Sequence, residues 1–285
     1  MQQLVKNSAM AFLLAALFAG CESNQNTAGV KGKDVMKLTQ EKFKSVPQDA
    51  WDKLASKKIY FGHQSVGKNI LAGVEDVLAE NQHITLRVAK VDDDKAATNA
   101  LFVHSKVGKN GYPELKDEDF ARYMDEKFPG KVDTALYKYC YVDIKRHSDV
   151  DKVFEHYKAN MAQLKKKHPD TQFIHVTTPI TVLQTGPKAW LKKITGKPVG
   201  GQLDNVKRAQ FREKLLAEYG GKDPIFDLYE YESTRLDGAR VSYQHDGKTY
   251  YALAPEYTDD GSHLNTVGRR FVAQNFLMFL AENVK

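Results

Sequence analysis

Apolar positions along the chain fall into short runs that alternate between two periods, and that alternation predicts the architecture. Lys58 to Phe61 reads as a short strand, after which Ile70, Leu71, Val74, Val77 and Leu78 recur at helical spacing through Glu80. Strand, turn and helix are therefore expected in that order. Ile84 to Val91 predicts a second strand, and Ala135 to Ile144, dense in Tyr, Val and Leu, a third. A helix is expected from Ser148 or Asp149 to Lys167, because Val153, Phe154, Tyr157, Met161 and Leu164 share one face and Ser148 offers a cap. Gln172 to Ile180 predicts a fourth strand, Asp204 to Tyr219 a helix ended by Gly220-Gly221, and Ile225 to Tyr229 a fifth strand. Between Val241 and Leu253 an Asp246-Gly247 pair sits between aromatic and β-branched flanks, the signal of an inserted hairpin. Asn265 to Val284 closes the chain as a helix carrying Val267, Phe271, Val272, Phe276, Leu277 and Leu280.

Strands that alternate with helices predict an α/β fold of three layers, α/β/α, around a mainly parallel sheet with the hairpin as a small insertion. Ligands of such sheets sit at the carboxyl ends of the strands. Ser65, Asp143, the Thr177-Thr178-Pro179 turn and the loop after Tyr229 are expected on that edge.

The ends of the chain add a location. Lys6 precedes an apolar run from Ala9 to Ala19, and Leu17-Phe-Ala-Gly20 stands directly before Cys21. This has the form of a cleaved secretory signal, since a permanent span needs about 20 apolar residues. Its ending resembles the bacterial lipoprotein box, which implies cleavage before Cys21 and lipidation of the Cys21 sulfur. Residues 1–20 are thus expected to be a lipoprotein signal peptide, residues 21–50 a lipidated cysteine with a flexible tether, and residues 51–285 the folded domain. The expected location is the bacterial cell envelope, with the protein exported and lipid-anchored to a membrane.

Composition narrows the partners. The formal net charge is +6 at pH 7 and the basic residues are dispersed, without the dense stripe of a nucleic-acid binder. No nucleic acid is expected. Cys140 has no partner once Cys21 is lipidated, so stability must come from a core rather than a disulfide. His63, His104 and His175 lack a close-spaced pair of the H-x-x-x-H kind, and neither a metal nor another cofactor is expected.

Two chemistries compete for the segment Lys58 to Asn69. Gly62 to Lys68 fits the G-x-x-x-x-G-K portion of a phosphate-binding loop, but the next residue is Asn69 where Ser or Thr should hold Mg²⁺. An exported chain would also meet little nucleoside triphosphate. The other reading makes Ser65 a nucleophile at a strand-to-helix turn, which requires a histidine base and an orienting carboxylate. Asp260-Gly-Ser-His263 supplies that pair just before the last helix, with Asn265 placed to cap it.

Over Lys58 to Lys285 the chain resembles the SGNH, or GDSL-like, hydrolase superfamily, whose members have a nucleophilic serine after the first strand and an Asp-x-x-His near the C-terminus. The resemblance implies a flavodoxin-like sheet and ester hydrolysis by Ser65, His263 and Asp260. It also implies that the Gly108 amide lines the oxyanion hole beside the Ser65 amide. Two departures stand out. The usual Gly-Asp-Ser is replaced by Gly62-His63-Gln64-Ser65, and the usual Gly-x-Asn-Asp by Cys140-Tyr-Val-Asp143. The second removes an asparagine donor, a loss of about 2.7 to 4 kcal/mol of transition-state stabilisation unless another group substitutes. Asn110 is the candidate substitute.

The expected substrate is an ester or acylated carbohydrate, with O-acetyl groups of envelope polysaccharide as one class. His63, Gln64, Asp143, Trp190, Tyr243 and Tyr257 are candidates for a pocket wall. Tyr137, Tyr139 and Tyr141 alternate and are expected to share one face of a strand in the core. The altered motifs keep a second class open, a non-catalytic glycan-binding or envelope-assembly lipoprotein on the same fold. Leu183 to Leu203 is expected to be a long basic loop bearing Lys188, Lys192, Lys193 and Lys197, either solvated or in contact with anionic glycans or a membrane surface.

Overall fold

The carboxyl ends of six parallel strands define the edge on which the candidate site is built. The structure is a computed structural model, and it describes residues 35–91, 101–128 and 132–285. The strands are β1 (Ile59–His63), β2 (Val88–Lys90), β3 (Phe102–Lys106), β4 (Thr134–Tyr137), β5 (Gln172–Val176) and β6 (Ile225–Phe226). They are ordered β2-β3-β1-β4-β5-β6, and every pairing is parallel. Without the short edge strand β2, this is the flavodoxin-like order, with the first strand inside and the direction of winding reversing beside it.

Alternation along the strands divides the core in two. Ile59, Phe61, Phe102, Leu136 and Ile174 face one layer, while Tyr60, Val103, Ala135, Tyr137 and Phe173 face the other. Helices cover both layers. α1 (Val35–Ser45), α2 (Gln48–Ser56), α3 (Ser65–Glu80) and α9 (Thr266–Asn283) contribute to the first. α4 (Pro113–Lys127), α5 (Val150–Lys167) and α7 (Gln202–Tyr219) contribute to the second. This is the three-layer α/β/α fold expected from the pattern. The hairpin is also present, as β7 (Ser242–His245) and β8 (Lys248–Tyr251) around an Asp246-Gly247 turn with both φ angles positive, 48° and 73°.

Several boundaries differ from expectation. The strand expected over 135–144 ends at Tyr137, because Asp143 turns back to accept the Cys140 amide. The strand expected over 225–229 gives way to the short helix α8 (Leu228–Ser233). Asp149, rather than Ser148, caps α5 by accepting the Lys152 amide at 3.1 Å. The Leu183 to Leu203 loop contains a helix, α6 (Pro187–Ile194). β3 and α4 are additional to the elements expected from the pattern.

Residues 35–50, expected within the flexible tether, are instead folded onto the domain. Phe43 of α1 and Trp51 of α2 are buried with ring centroids 5.1 Å apart, and Val35 donates its amide to the Leu236 carbonyl at 2.7 Å. Two large aromatic residues outweigh the polar composition around them, since each buries far more apolar area than the small residues nearby. The expected signal peptide, Cys21 and the rest of the expected tether lie outside the described residues. Phe43→Ala should lower unfolding stability by roughly 3 to 5 kcal/mol, as measured by urea titration; a loosely tethered helix would lose almost nothing.

Candidate active site

Ser65 is the first residue of α3, placed where β1 ends at the sheet edge. Its turn is tight. A Cβ on Gly67 would lie 2.3 Å from His63 Cβ, so only glycine lets the helix start so close to the strand end. As a first-turn residue, Ser65 has an N–H with no intrahelical acceptor, at the positive end of the helix dipole.

Asp260 and His263 come from the other end of the chain, in the loop before α9. Asn265 caps that helix by accepting the amides of Val267 and Gly268 at 3.1 and 3.0 Å. The loop is also tied to the strand edge through the Val182 amide, which donates to the Gly261 carbonyl at 3.0 Å. The three side chains meet. His263 Nε2 is 3.0 Å from Ser65 Oγ, and His263 Nδ1 is 2.6 Å from Asp260 Oδ2. Burial opposes ionisation of Asp260, but the amides of His263 and Ser262 and their side chains donate to it and hold its carboxyl well below the usual range. Ionised Asp260 accepts a hydrogen bond from the Nδ1–H of His263, and this tautomer leaves Nε2 as the acceptor facing the serine hydroxyl.

The other candidates sort differently. His63 is buried at the end of β1; its Nδ1 donates to the Gln64 carbonyl at 2.9 Å, so Nε2 accepts from His104 Nδ1 at 2.9 Å. Gln64 spends its side-chain amide on the carbonyls of Val107 and Gly108, at 2.7 and 3.0 Å. Both residues brace the turn under Ser65 rather than line a pocket. Asp143 is buried too, and accepts from the Gly111 amide at 2.7 Å, the Cys140 amide at 2.5 Å and the Lys116 ammonium. Tyr257 is wholly buried, stacked on Phe271, with its hydroxyl donating to the Thr234 carbonyl at 2.8 Å. Tyr243 is half-buried and bonded to the Gln202 carbonyl, and Trp190 stands exposed on α6. None of these six hydrogen-bonds to the side chain of Ser65 or His263, whose partners are each other, Cys140, Asp260 and Ser262.

The oxyanion donors need one correction. The Gly108 amide donates to Asp119 Oδ2 at 2.8 Å and is not free to face the site. Gly108 is glycine for a local reason: its φ is +56°, and a Cβ there would lie 2.6 Å from the Leu115 carbonyl oxygen. Asn110 lends its amide oxygen to Lys116 Nζ at 3.0 Å, which anchors it to the Asp143 pair.

Two neighbours of the site were not legible in the sequence. Tyr141 was grouped with Tyr137 and Tyr139, yet β4 ends before it; its ring meets His263 edge-on at 5.6 Å while Arg208 donates to its carbonyl at 2.6 Å. Cys140 places its Sγ 4.0 Å from Ser65 Oγ. The one signal for both was their place in Cys140-Tyr-Val-Asp143, which stands where the usual Gly-x-Asn-Asp is expected. The His263 and Asp260 side chains are 35% and 54% exposed, so the triad is open to solvent at the sheet edge. His175, the third histidine considered as a ligand, lies elsewhere, bonded to Tyr157 and Asp223. Among the described residues, no cluster of three or more His, Cys, Asp or Glu side chains could hold a metal ion.

No family model matches the sequence, and no curated protein does. Similar solved structures include a protein described as a platelet activating factor from Streptococcus pneumonia, at 13% identity and TM-score 0.47 over 86% of this chain and 98% of that one. A protein described as a GDSL-like lipase from Parabacteroides merdae is similar at 14% identity and TM-score 0.46, over 79% and 94%. The periplasmic domain of a lipopolysaccharide acetyltransferase from Salmonella ser. Paratyphi A is similar at 10% identity and TM-score 0.41, over 84% and 94%.

Asp143→Ala should cost roughly 3 to 5 kcal/mol, because it leaves the Lys116 ammonium buried without its counter-charge; chemical denaturation measures this, and a residue of a solvated pocket wall would cost far less. A pH dependence follows from the histidine pair. Burial holds His63 neutral down to about 3 and His104 down to about 4, against an ordinary 6.5. The unfolded chain therefore takes up protons that the folded chain refuses, so stability is complete above pH ~6.5 and falls as pH drops toward 4. For His63 the slope is at most about 1.4 kcal/mol per pH unit. Melting temperatures recorded from pH 7 to pH 4 should fall, and the fall should be shallower in His63→Gln.

Proposed function

We propose that the protein is a serine acyl hydrolase acting on esters, with Ser65 as nucleophile, His263 as general base and acid, and Asp260 as the group that orients His263. The hydrogen-bonded chain from Ser65 Oγ through His263 to Asp260 carries this reading, because three residues separated by up to 198 positions converge in catalytic order. In the first step Ser65 Oγ attacks the ester carbonyl carbon as its proton passes to His263 Nε2. The Ser65 N–H at the positive end of α3 and the Asn110 side-chain amide receive the developing oxyanion. Collapse of the tetrahedral intermediate breaks the C–O bond, and His263 returns the proton to the departing alcohol. Water, deprotonated by His263, then attacks the acyl-serine and releases the acid.

For the substrate we favour O-acetyl groups on polysaccharide at the cell envelope, in a protein exported and lipidated at Cys21. The signal-like N-terminus supports the location. An open site at a sheet edge, with Asp260 about half exposed, supports an acylated group carried on a polymer. A second reading, a glycan-binding lipoprotein without catalysis, is favoured by one observation: Asp119 occupies the Gly108 amide, leaving fewer donors for an oxyanion.

Turnover of a small activated acetate ester tests the proposal. Ser65→Ala should lower kcat by roughly 10⁴-fold or more, and Asp260→Asn by about 10³ to 10⁴-fold. A serine-directed phosphonate should label Ser65 in the wild-type protein. Equal turnover in Ser65→Ala, with no adduct, would leave the glycan-binding reading standing.

A further inference from the structure

Helix α6 is mounted the wrong way round for a helix that serves only the fold. A surface helix normally buries its apolar stripe and exposes its charges. Here Ala189 is buried, whereas Trp190, Leu191 and Ile194 are exposed by 65%, 58% and 61%, the three most exposed large apolar residues among those described. At 3.6 residues per turn the three lie within an arc of about 100°, with Lys188 and Lys193 on its two flanks. Single apolar residues on a surface are ordinary, but three contiguous large ones on one arc mark a contact surface.

The helix is held firmly while presenting this face. Lys192 Nζ donates to Gln184 Oε1 at 2.8 Å, and the same oxygen accepts the Gly200 amide at 3.2 Å. The Gln184 amide donates to the Gly200 carbonyl at 2.9 Å, which closes the segment at its base. Below that, Val182 is bonded to Gly261 in the Asp260–His263 loop. From Thr181 to Leu203 there are four lysines and no acidic residue.

We infer that α6 is an interfacial contact helix which seats Trp190, Leu191 and Ile194 in the headgroup region of a lipid bilayer carrying anionic phosphate headgroups. The charge pattern selects this occupant. Lysines flanking an apolar arc bring ammonium groups level with lipid phosphates while the arc enters the acyl boundary, and tryptophan favours that depth. The inference is independent of catalysis by Ser65.

The chain has two tryptophans, and Trp51 is buried, so Trp51→Phe in the full-length protein leaves Trp190 as the sole reporter, whatever the N-terminal segment does. Adding phosphatidylglycerol vesicles should move Trp190 emission to shorter wavelength and shield it from acrylamide, and phosphatidylcholine vesicles should do neither. Replacing Lys188, Lys193 and Lys197 by Gln should weaken partitioning roughly a hundredfold, at about 1 kcal/mol per lysine near an anionic surface. Unchanged emission with anionic vesicles would overturn the inference, as would a response to polyglutamate but not to vesicles, which would indicate an acidic protein partner. If Trp51→Phe does not fold, acrylamide quenching of the wild-type protein, compared with Trp190→Phe, reads the same exposed population.

Discussion

Much of the site edge depends on where Asp143 spends its carboxylate. One oxygen accepts the Gly111 amide, and the other the Cys140 amide and the Lys116 ammonium. These bonds pin the loop after β3 and the first turn of α4 to the turn after β4, on the flank of Ser65. A buried ion pair of this kind adds little net stability over an apolar replacement, yet removing one partner is costly because the other charge is stranded. Its effect is geometric. The chain cannot continue β4 past Tyr137 while Asp143 holds Cys140, and the reversal brings Cys140 Sγ near Ser65 and Tyr141 against His263.

That constraint explains which parts of the protein were legible in its sequence. Layers, helix faces and the hairpin were readable because they rest on period and turn chemistry, which are local. Ser65, Asp260 and His263 were readable as a pattern of residue types at both ends of an α/β chain, and the fold brings them within hydrogen-bond distance. The neighbours were not. Whether Asp143, His63 and Gln64 face solvent or serve as internal braces depends on the hydrogen-bond partners they meet 32 to 44 residues away in the chain, as with Asp143 and the Gly111 amide or Gln64 and the Gly108 carbonyl. Composition misled in the same way at residues 35–50, where Phe43 is buried and Val35, Met36 and Val46 pack against the core despite their polar neighbours.

A second layer of buried charge lies behind the first. Glu232 accepts the Ile180 amide at 2.7 Å with one oxygen, while its other oxygen and the Thr178 hydroxyl have no hydrogen-bond partner. Burial raises the Glu232 carboxyl well above its usual range and lowers the neighbouring Lys138 ammonium. Arg208, also buried, spends its guanidinium on the carbonyls of Tyr141 and Ile144 and on Asn205. Such groups are costly to bury, and here they fix the loops at the ends of β4 and β5, where the strands stop supplying backbone partners.

The two sides of His263 are then supported very differently. Asp260 acts from an exposed loop and gains its strength from five donors within three residues, a local device that survives solvent. Tyr141 acts from the protein side, with its carbonyl clamped by a buried arginine, so the edge of its ring is a fixed wall rather than a mobile contact. A histidine held between a hydrogen-bonded carboxylate and a rigid aromatic ring has one orientation available, and that orientation points Nε2 at Ser65. A half-exposed imidazole is thereby pre-oriented by one hydrogen-bonded carboxylate and one aromatic ring.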